Sequence, residues 1–427
     1  MNPPLRGRAD SSATSVGGFG DVRAKVSGQM SDEVASHLSG IIRSMSGFLA
    51  AIMDPEIGRH AADPAASNFI AGNPQELASP EYVRALQRWA EPKDKDWFGY
   101  KMPHRPAQIT AAEGLSKELG LSFDPDDIVL TRGAHGGLAA ALIVVVDPGD
   151  EVIFISPPWF FYEALILGAH GKPVKIRVKP SDFDLDVDAI AAAISPRTRA
   201  VLINTPHNPT GRIFGENTLG ALASVLEDAS ARNRRTIYLI SDEAYSRILF
   251  DGNRMITPGA FYARSLLIHT YSKSALAPGQ RLGYVALPPG MPGRDHLRRA
   301  FMVAGFSTGN MLPDAIMQYA LPEIDTMSID LAHLQRKRDR MVDALNEMGY
   351  QVQAPQATFY LLPRAPIEDD VLFARTLAAQ KVLVLPGTAV EMPGYFRISL
   401  TATDAMIDRA LPVFAEVISN LAAGVPR

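Results

Sequence analysis

Five short polar clusters carry residue types that could do chemistry together, and four of them follow or end an apolar run. Thr270-Tyr271-Ser272-Lys273 offers a primary amine, the side chain that condenses with carbonyl groups. Arg281-Leu282-Gly283 comes eight residues after that lysine and offers a planar cation suited to oxyanions. Ser241-Asp242-Glu243-Ala244-Tyr245 places a carboxylate and a phenol at the end of another run. Asn204-Thr205-Pro206-His207-Asn208-Pro209-Thr210-Gly211 supplies amide groups in a proline-bounded turn, and Thr131-Arg132-Gly133-Ala134-His135-Gly136-Gly137 a glycine-rich one. Alone, each has a plain reading: Lys273 as a solvated charge, Asp242 as a helix cap, Asn208-Pro209 as a turn, the glycine cluster as a weak sign of phosphate binding. Their order along the chain, each at an equivalent place, is what argues for one shared site.

The elements that must position these clusters are legible as a rhythm. Apolar, β-rich runs fall at 128–131, 151–156, 173–178, 200–204, 236–241, 265–269 and 283–287. Helix-like stretches at 138–146, 161–168, 187–194 and 217–232 lie between most of them. Strands alternating with helices predict an α/β fold, with a mostly parallel central sheet covered on both faces. Ligands of such sheets bind at the carboxyl ends of the strands, where the polar clusters stand. Ahead of the rhythm, a helix is expected over 31–53, and two more between 81 and 119 around the aromatic loop Trp97-Phe98-Gly99-Tyr100. After Pro288 the pattern changes to a long charged helix over 329–348, strand-like runs at 359–362, 382–385 and 396–400, and a last helix over 405–422.

Composition narrows the classes. The chain has 427 residues, 47% hydrophobic and 21% charged, the mix of a globular protein with a sizeable core. It has no cysteine, which excludes disulfides, thiolate-bound zinc and thiol nucleophiles. A net charge of −4 gives no support to a nucleic-acid or anionic-membrane partner. The longest uninterrupted apolar run, 138–146, is far below the ~18 residues of a membrane span. Arg6, Arg8, Ser11 and Ser12 come without an apolar stretch, and Asp10 and Asp21 spoil a transit-peptide pattern, so a cytoplasmic location is expected.

Taken together, the motifs resemble those of the fold-type I pyridoxal-phosphate enzymes of the class I/II aminotransferase family. They are Asn208-Pro209-Thr210-Gly211, Asp242-Glu243-Ala244-Tyr245, Ser272-Lys273 with Arg281-Leu282-Gly283, and Phe396-Arg397, and the similarity runs from about Phe69 onward. The resemblance implies pyridoxal 5'-phosphate as cofactor, no metal, and amino-group transfer from an L-amino acid to a 2-oxo acid by a ping-pong cycle. It implies Lys273, Asp242 and Tyr245 as the catalytic residues: Lys273 joined to the cofactor aldehyde and then acting as base at the substrate Cα, Asp242 paired with the pyridine nitrogen. Tyr245 and Asn208 would donate to the ring 3′-oxygen, and Trp159 would stack on the ring. Ala134 and His135, through backbone N–H groups, would hold the phosphate with Thr270, Ser272 and Arg281. Arg397, Gly72 and Asn208 would face the substrate, Arg397 as a fork on its α-carboxylate. Tyr100 would reach the phosphate of a neighbouring subunit, which implies a homodimer with shared sites.

The expected organisation is a flexible tail at 1–30, an N-terminal segment at 31–75, a large cofactor domain at 76–309, and residues 310–427 completing a smaller α+β domain built from both chain ends. Departures from the family pattern cluster on the substrate side. Arg105 stands where a glycine is usual, Ala357-Thr358 precedes Phe359-Tyr360, and Thr388-Ala389-Val390 follows Pro386-Gly387. His104 and Arg105 are expected to be exposed rather than to face substrate. A carbon–sulfur lyase, a cyclising synthase or an amino-acid oxidase on the same scaffold would share Lys273, Asp242 and Arg281. A non-catalytic cofactor-binding regulator would need a DNA-binding module, and the segment before residue 66 shows no helix-turn-helix.

Overall fold

The computed structural model describes residues 35, 37–309 and 312–423. The expected tail at 1–30 and helix start at 31–34 lie outside the described residues. Beyond them the chain forms two short helices, Leu38–Ser44 and Ser46–Ile52, in place of one continuous helix.

Seven of the expected runs form one sheet. Its strands are β2 (Ile128–Thr131), β3 (Glu151–Ser156), β4 (Lys172–Arg177), β5 (Thr198–Asn204), β6 (Tyr238–Asp242), β7 (Ser265–Thr270) and β8 (Gly283–Ala286), in the order β2-β8-β7-β6-β5-β3-β4. Only β8 runs against its neighbours; the other pairings are parallel. The strands read as continuous apolar runs because both faces are covered. Phe154, Leu202, Ile240 and Ile268 face a core that Leu138 and Leu142 of helix Gly133–Val145 complete. The alternate residues Ile153, Ile155, Val201 and Ile203 face a second core, with Leu219, Leu222 and Leu226 of helix Glu216–Asn233. A further layer packs Tyr82, Ala111 and Leu115, from helices Pro80–Ala90 and Arg105–Leu119, against Ile128, Leu267 and Tyr284. Helix Ala315–Ile324 comes after the expected division at 309/310, yet it buries Met317, Ala320, Leu321 and Ile324 in this layer.

The late chain makes a second body. Strands β11 (Leu385–Pro386), β12 (Phe396–Ser399) and β9 (Tyr360–Leu361) form an antiparallel sheet beside helices Leu331–Glu347, Asp370–Ala379 and Asp404–Ala422. The single strand expected over 382–385 is divided in the structure. β10 (Val382–Leu383) pairs in parallel with β1 (Ser67–Asn68), whereas β11 pairs with β12. That split ties the early chain to the late chain, and Phe69 enters the same core as Phe373, Phe396 and Phe414. β1 has two residues and no periodicity to betray it. Helices Arg294–Thr308, Ala315–Ile324 and Asp370–Ala379 are also not among the expected elements: the second holds Pro322, and the third depends on Asp369 capping Leu372 N–H.

Candidate active site

Parallel pairing brings the strand ends level. Asn204 of β5 stands opposite Asp242 of β6 in the register, with Thr270 ending the next strand. The chain leaving β3 enters helix Tyr162–Gly168 on one face, and the chain leaving β5 reaches helix Glu216–Asn233 on the other. Loops that part to opposite faces leave a crevice between them. A cavity of about 370 Å³ opens there.

Its lining includes Gly72, Ala134, His135, Trp159, Asn208, Asp242, Tyr245, Thr270, Ser272, Lys273, Arg281 and Arg397. The structure thus brings together every residue that the family resemblance assigns to the site except Tyr100. Tyr100 is 97% exposed and does not line its own chain's cavity. His104 and Arg105 stay outside as well: the His104 ring meets Tyr319 edge-on at 5.0 Å, and Arg105 pairs with Asp126 on the surface.

One end of the cavity is built to receive an anion. Arg281 Nη1 approaches Ser272 Oγ at 3.4 Å, and Thr270 Oγ1 donates to the same oxygen at 3.0 Å. Gly133, with φ +70°, opens helix Gly133–Val145, and a Cβ there would sit 3.0 Å from the Arg281 guanidinium. Gly283 is required on the other side, where a Cβ would fall 2.4 Å from the His269 carbonyl oxygen. Partial burial and the Arg281 charge hold His135 below the usual imidazole pKa.

The middle is a buried carboxylate. Asp242 Oδ2 accepts from Tyr162 Oη at 2.6 Å, and Oδ1 from Ala244 N–H at 3.2 Å. Burial raises its pKa above the usual range, against these donors and the Lys273 and His269 charges. Tyr162 is itself pushed well above its ordinary value by burial and by Asp242, so it remains the donor. The Asn204 side chain braces the floor, donating to the Asp242 carbonyl at 2.7 Å and accepting Asn208 N–H at 2.7 Å. His207 lies beneath, its Nε2 3.0 Å from the Pro157 carbonyl and Nδ1 2.8 Å from Thr210 Oγ1. A carbonyl can only accept, so Nε2 carries the proton and Nδ1 accepts from the threonine. Burial lowers the His207 pKa to about 4.

The other end holds Arg397, 3% exposed. Its Nη1 donates to Asn208 Oδ1 at 3.1 Å and its Nη2 to the Ile70 carbonyl at 2.9 Å, while Nε has no partner. The guanidinium lies 4.1 Å from the Tyr360 ring centroid. Burial opposes the Tyr360 phenolate, but the Arg397 and Lys273 charges outweigh it and lower the pKa. Gly72 lets this corner close, since a Cβ would meet Tyr360 Oη at 2.4 Å. Lys273 Nζ hangs between the Tyr245 and Phe359 rings, 5.8 and 5.7 Å from their centroids.

Among the described residues, Asp242, Lys273, Arg281 and Arg397 make no ion pair, although ion pairs are frequent elsewhere in the molecule. Unpaired charges facing one cavity suit a ligand that brings a cationic or proton-bearing ring and two anionic ends. Sequence reasoning missed Tyr162 and Tyr360 as site residues and gave Asn204 no role. Tyr162 sits three residues past Trp159, and Tyr360 in the run Phe359-Tyr360, so position alone marked neither as polar partners of the site.

Such a doubly wound sheet, with an amine, a buried carboxylate and two anion-accepting ends at its strand termini, defines an α/β enzyme of group transfer. Residues 66–414 match the family described as aminotransferase class I and II, and the chain belongs to that family. It is similar to the aspartate/prephenate aminotransferase of Thermus thermophilus, at 30% identity over 86% of this chain and 94% of that one. A solved aminotransferase of Eubacterium rectale superposes with a TM-score of 0.80 at 26% identity, covering 92% of this chain and 99% of that chain. The N-succinyldiaminopimelate aminotransferase of Mycobacterium tuberculosis does so at 0.78 and 25% identity, over 90% of this chain and all of that one. The chain is an enzyme that transfers amino groups.

Proposed function

We propose that the cavity holds pyridoxal 5'-phosphate and that the enzyme moves the amino group of an L-amino acid to a 2-oxo acid in two half-reactions. The observation that carries this reading is the set of unpaired charges, Asp242, Lys273, Arg281 and Arg397, around one cavity. When bound, the cofactor supplies an electron sink for the charge that develops at the substrate Cα. Arg281, Ser272, Thr270 and the backbone N–H groups of Ala134 and His135 would hold its phosphate, and Trp159 its ring. Asp242 would pair with the ring N–H; that partner offsets the burial cost which raises its pKa, and Tyr162 orients the carboxylate. Tyr245 and Asn208 would donate to the ring hydroxyl oxygen.

Lys273 would hold the cofactor aldehyde, and its freed Nζ would take the proton from the substrate Cα. Arg397 would clamp the α-carboxylate with both terminal nitrogens, its side chain already steered by Asn208 and Ile70. Gly72 lets the backbone approach that carboxylate. We further propose a homodimer in which Tyr100 completes the partner's phosphate site; exposed Leu77, Phe98, Tyr100 and Met102 support a covered face.

A single-turnover experiment tests the reading. The cofactor-loaded enzyme is mixed with each of the common L-amino acids and no 2-oxo acid. At least one should release about one equivalent of its 2-oxo acid per site and abolish the visible absorbance of the bound cofactor. If none does, transamination is wrong.

A further inference from the structure

The loop 97–104 carries Tyr100 outside its own chain's cavity. Its middle faces outward: Phe98 is 61%, Tyr100 97% and Met102 53% exposed. Yet both feet of the loop are fixed on one helix, Ala315–Ile324, by two consecutive residues. At the first foot the Trp97 ring lies on the Tyr319 ring, centroids 4.1 Å apart, and Tyr319 Oη donates to the Trp97 carbonyl at 3.1 Å. Trp97 Nε1 in turn donates to the Trp89 carbonyl at 3.0 Å. At the second foot the His104 N–H donates to Gln318 Oε1 at 2.8 Å, and the His104 ring meets Tyr319 edge-on.

Gln318 is a polar side chain with 0% exposure. Its Nε2 donates to the Pro313 carbonyl at 2.9 Å, so a single amide joins the His104 foot to the segment that leads into the helix. A buried amide matched at both ends rigidifies what it joins, whereas an apolar residue in its place would leave a peptide N–H and a carbonyl without partners. Burying a hydrophobic layer does not require such a residue. The bracing falls instead at the two ends of an outward-facing aromatic segment. A loop that docks into another subunit loses less conformational freedom on docking when it is already ordered.

We propose that Trp97, Gln318 and Tyr319 form a clamp that pre-orders Tyr100 for the phosphate site of the neighbouring subunit. Gln318 and Tyr319 are then positioning residues that act in trans, and neither lines its own chain's cavity. The inference rests on the cofactor and homodimer proposed above.

The test uses full-length, cofactor-loaded dimers and reads cofactor loss rather than turnover. Cofactor remaining on Lys273 during dialysis is fixed with borohydride and counted by mass spectrometry. The Gln318→Met homodimer should lose cofactor about tenfold faster than wild type, and Tyr319→Phe, which keeps the ring but deletes the hydroxyl, about threefold faster. Should Gln318→Met fail to fold, Tyr319→Phe takes its place throughout. Hybrid dimers, isolated through two different affinity tags, decide where the clamp acts. A Gln318→Met chain paired with a Lys273→Ala chain has one linkable site, served by the Tyr100 of an intact clamp, and should retain cofactor as wild type does. Wild type paired with a chain carrying both substitutions has one linkable site served by the damaged clamp, and should lose cofactor as fast as the Gln318→Met homodimer. Fast loss in the first hybrid, wild-type retention in the second, or a Gln318→Met homodimer that keeps its cofactor overturns the clamp. If wild type fixes no cofactor on Lys273, or runs as a monomer, the underlying reading fails and the clamp with it.

Discussion

The floor of the cavity and its outer wall are built on different principles. The floor is polar, nearly inaccessible and locked in register: Asn204, Asn208 and Asp242 are each no more than 6% exposed, and hydrogen bonds of 2.7 Å join Asn204 to the neighbouring strand at Asp242 and the following loop at Asn208 to Asn204. The wall is apolar and partly open, with Ile52 40% exposed, and it is assembled from segments around residues 48, 160 and 385. Floor residues have little freedom because the Asn204 amide and the Asp242 carboxylate are already held by hydrogen bonds. The wall is held mainly by packing, which tolerates changes of similar volume.

The sharpest way to break this contrast is at the floor. Lys273→Ala should lower turnover by about 10⁴-fold or more and remove the borohydride-reducible link to cofactor, read by mass spectrometry. Substantial turnover without that amine would dissolve the distinction between floor and wall.

The next effect is on stability. His207 is held neutral by burial, its pKa about 4 against an ordinary 6.5, so above pH 6.5 it costs the fold nothing. As pH falls from 6.5 toward 4 the unfolded chain takes up a proton that the native state refuses, and stability drops by about 3 kcal/mol. Denaturant titrations across that window should show a shallower slope for His207→Gln than for wild type; equal slopes would remove His207 from the account.

At the boundary between the two regions, Arg397→Lys should cost about 10²-fold in kcat/KM, carried mostly by KM, because an ammonium cannot reproduce the planar fork. A loss confined to kcat would argue against a carboxylate clamp. The smallest floor effect is expected for Tyr162→Phe, which deletes one hydrogen bond of 2.6 Å to Asp242. A loss of about 1–3 kcal/mol should appear as weaker cofactor retention and slower Cα-proton exchange, measured by dialysis and by deuterium washout.

Much of the floor was legible without coordinates. Strand-ending residues announce themselves because a continuous apolar run must stop where backbone and side chains turn polar, and Asp242, Thr270 and Asn204 stand at such stops. Gly133 and Gly283 were legible as residues of motifs, but the reason for them was not, since it lies in the approach of Arg281 and of the His269 carbonyl. Tyr162 and Tyr360 were hidden because a tyrosine in an apolar stretch reads as core until its hydroxyl is seen to meet Asp242 or Tyr245. The division of the 382–385 run between two sheets was equally hidden, because β1 and β12 are distant in sequence.

By itself the sequence determined the alternating α/β order, the set of reactive side chains at the strand ends, and the absence of thiol chemistry. Those follow from periodicity and residue type, which are local properties. Only the tertiary structure decided that Asp242 is buried against Tyr162, that Arg397 lies without an ion pair beneath Tyr360, and that Phe48 lines the cavity stacked on Phe160. Each of those depends on surfaces brought together from far apart in the chain, where packing and desolvation, not local pattern, set the outcome.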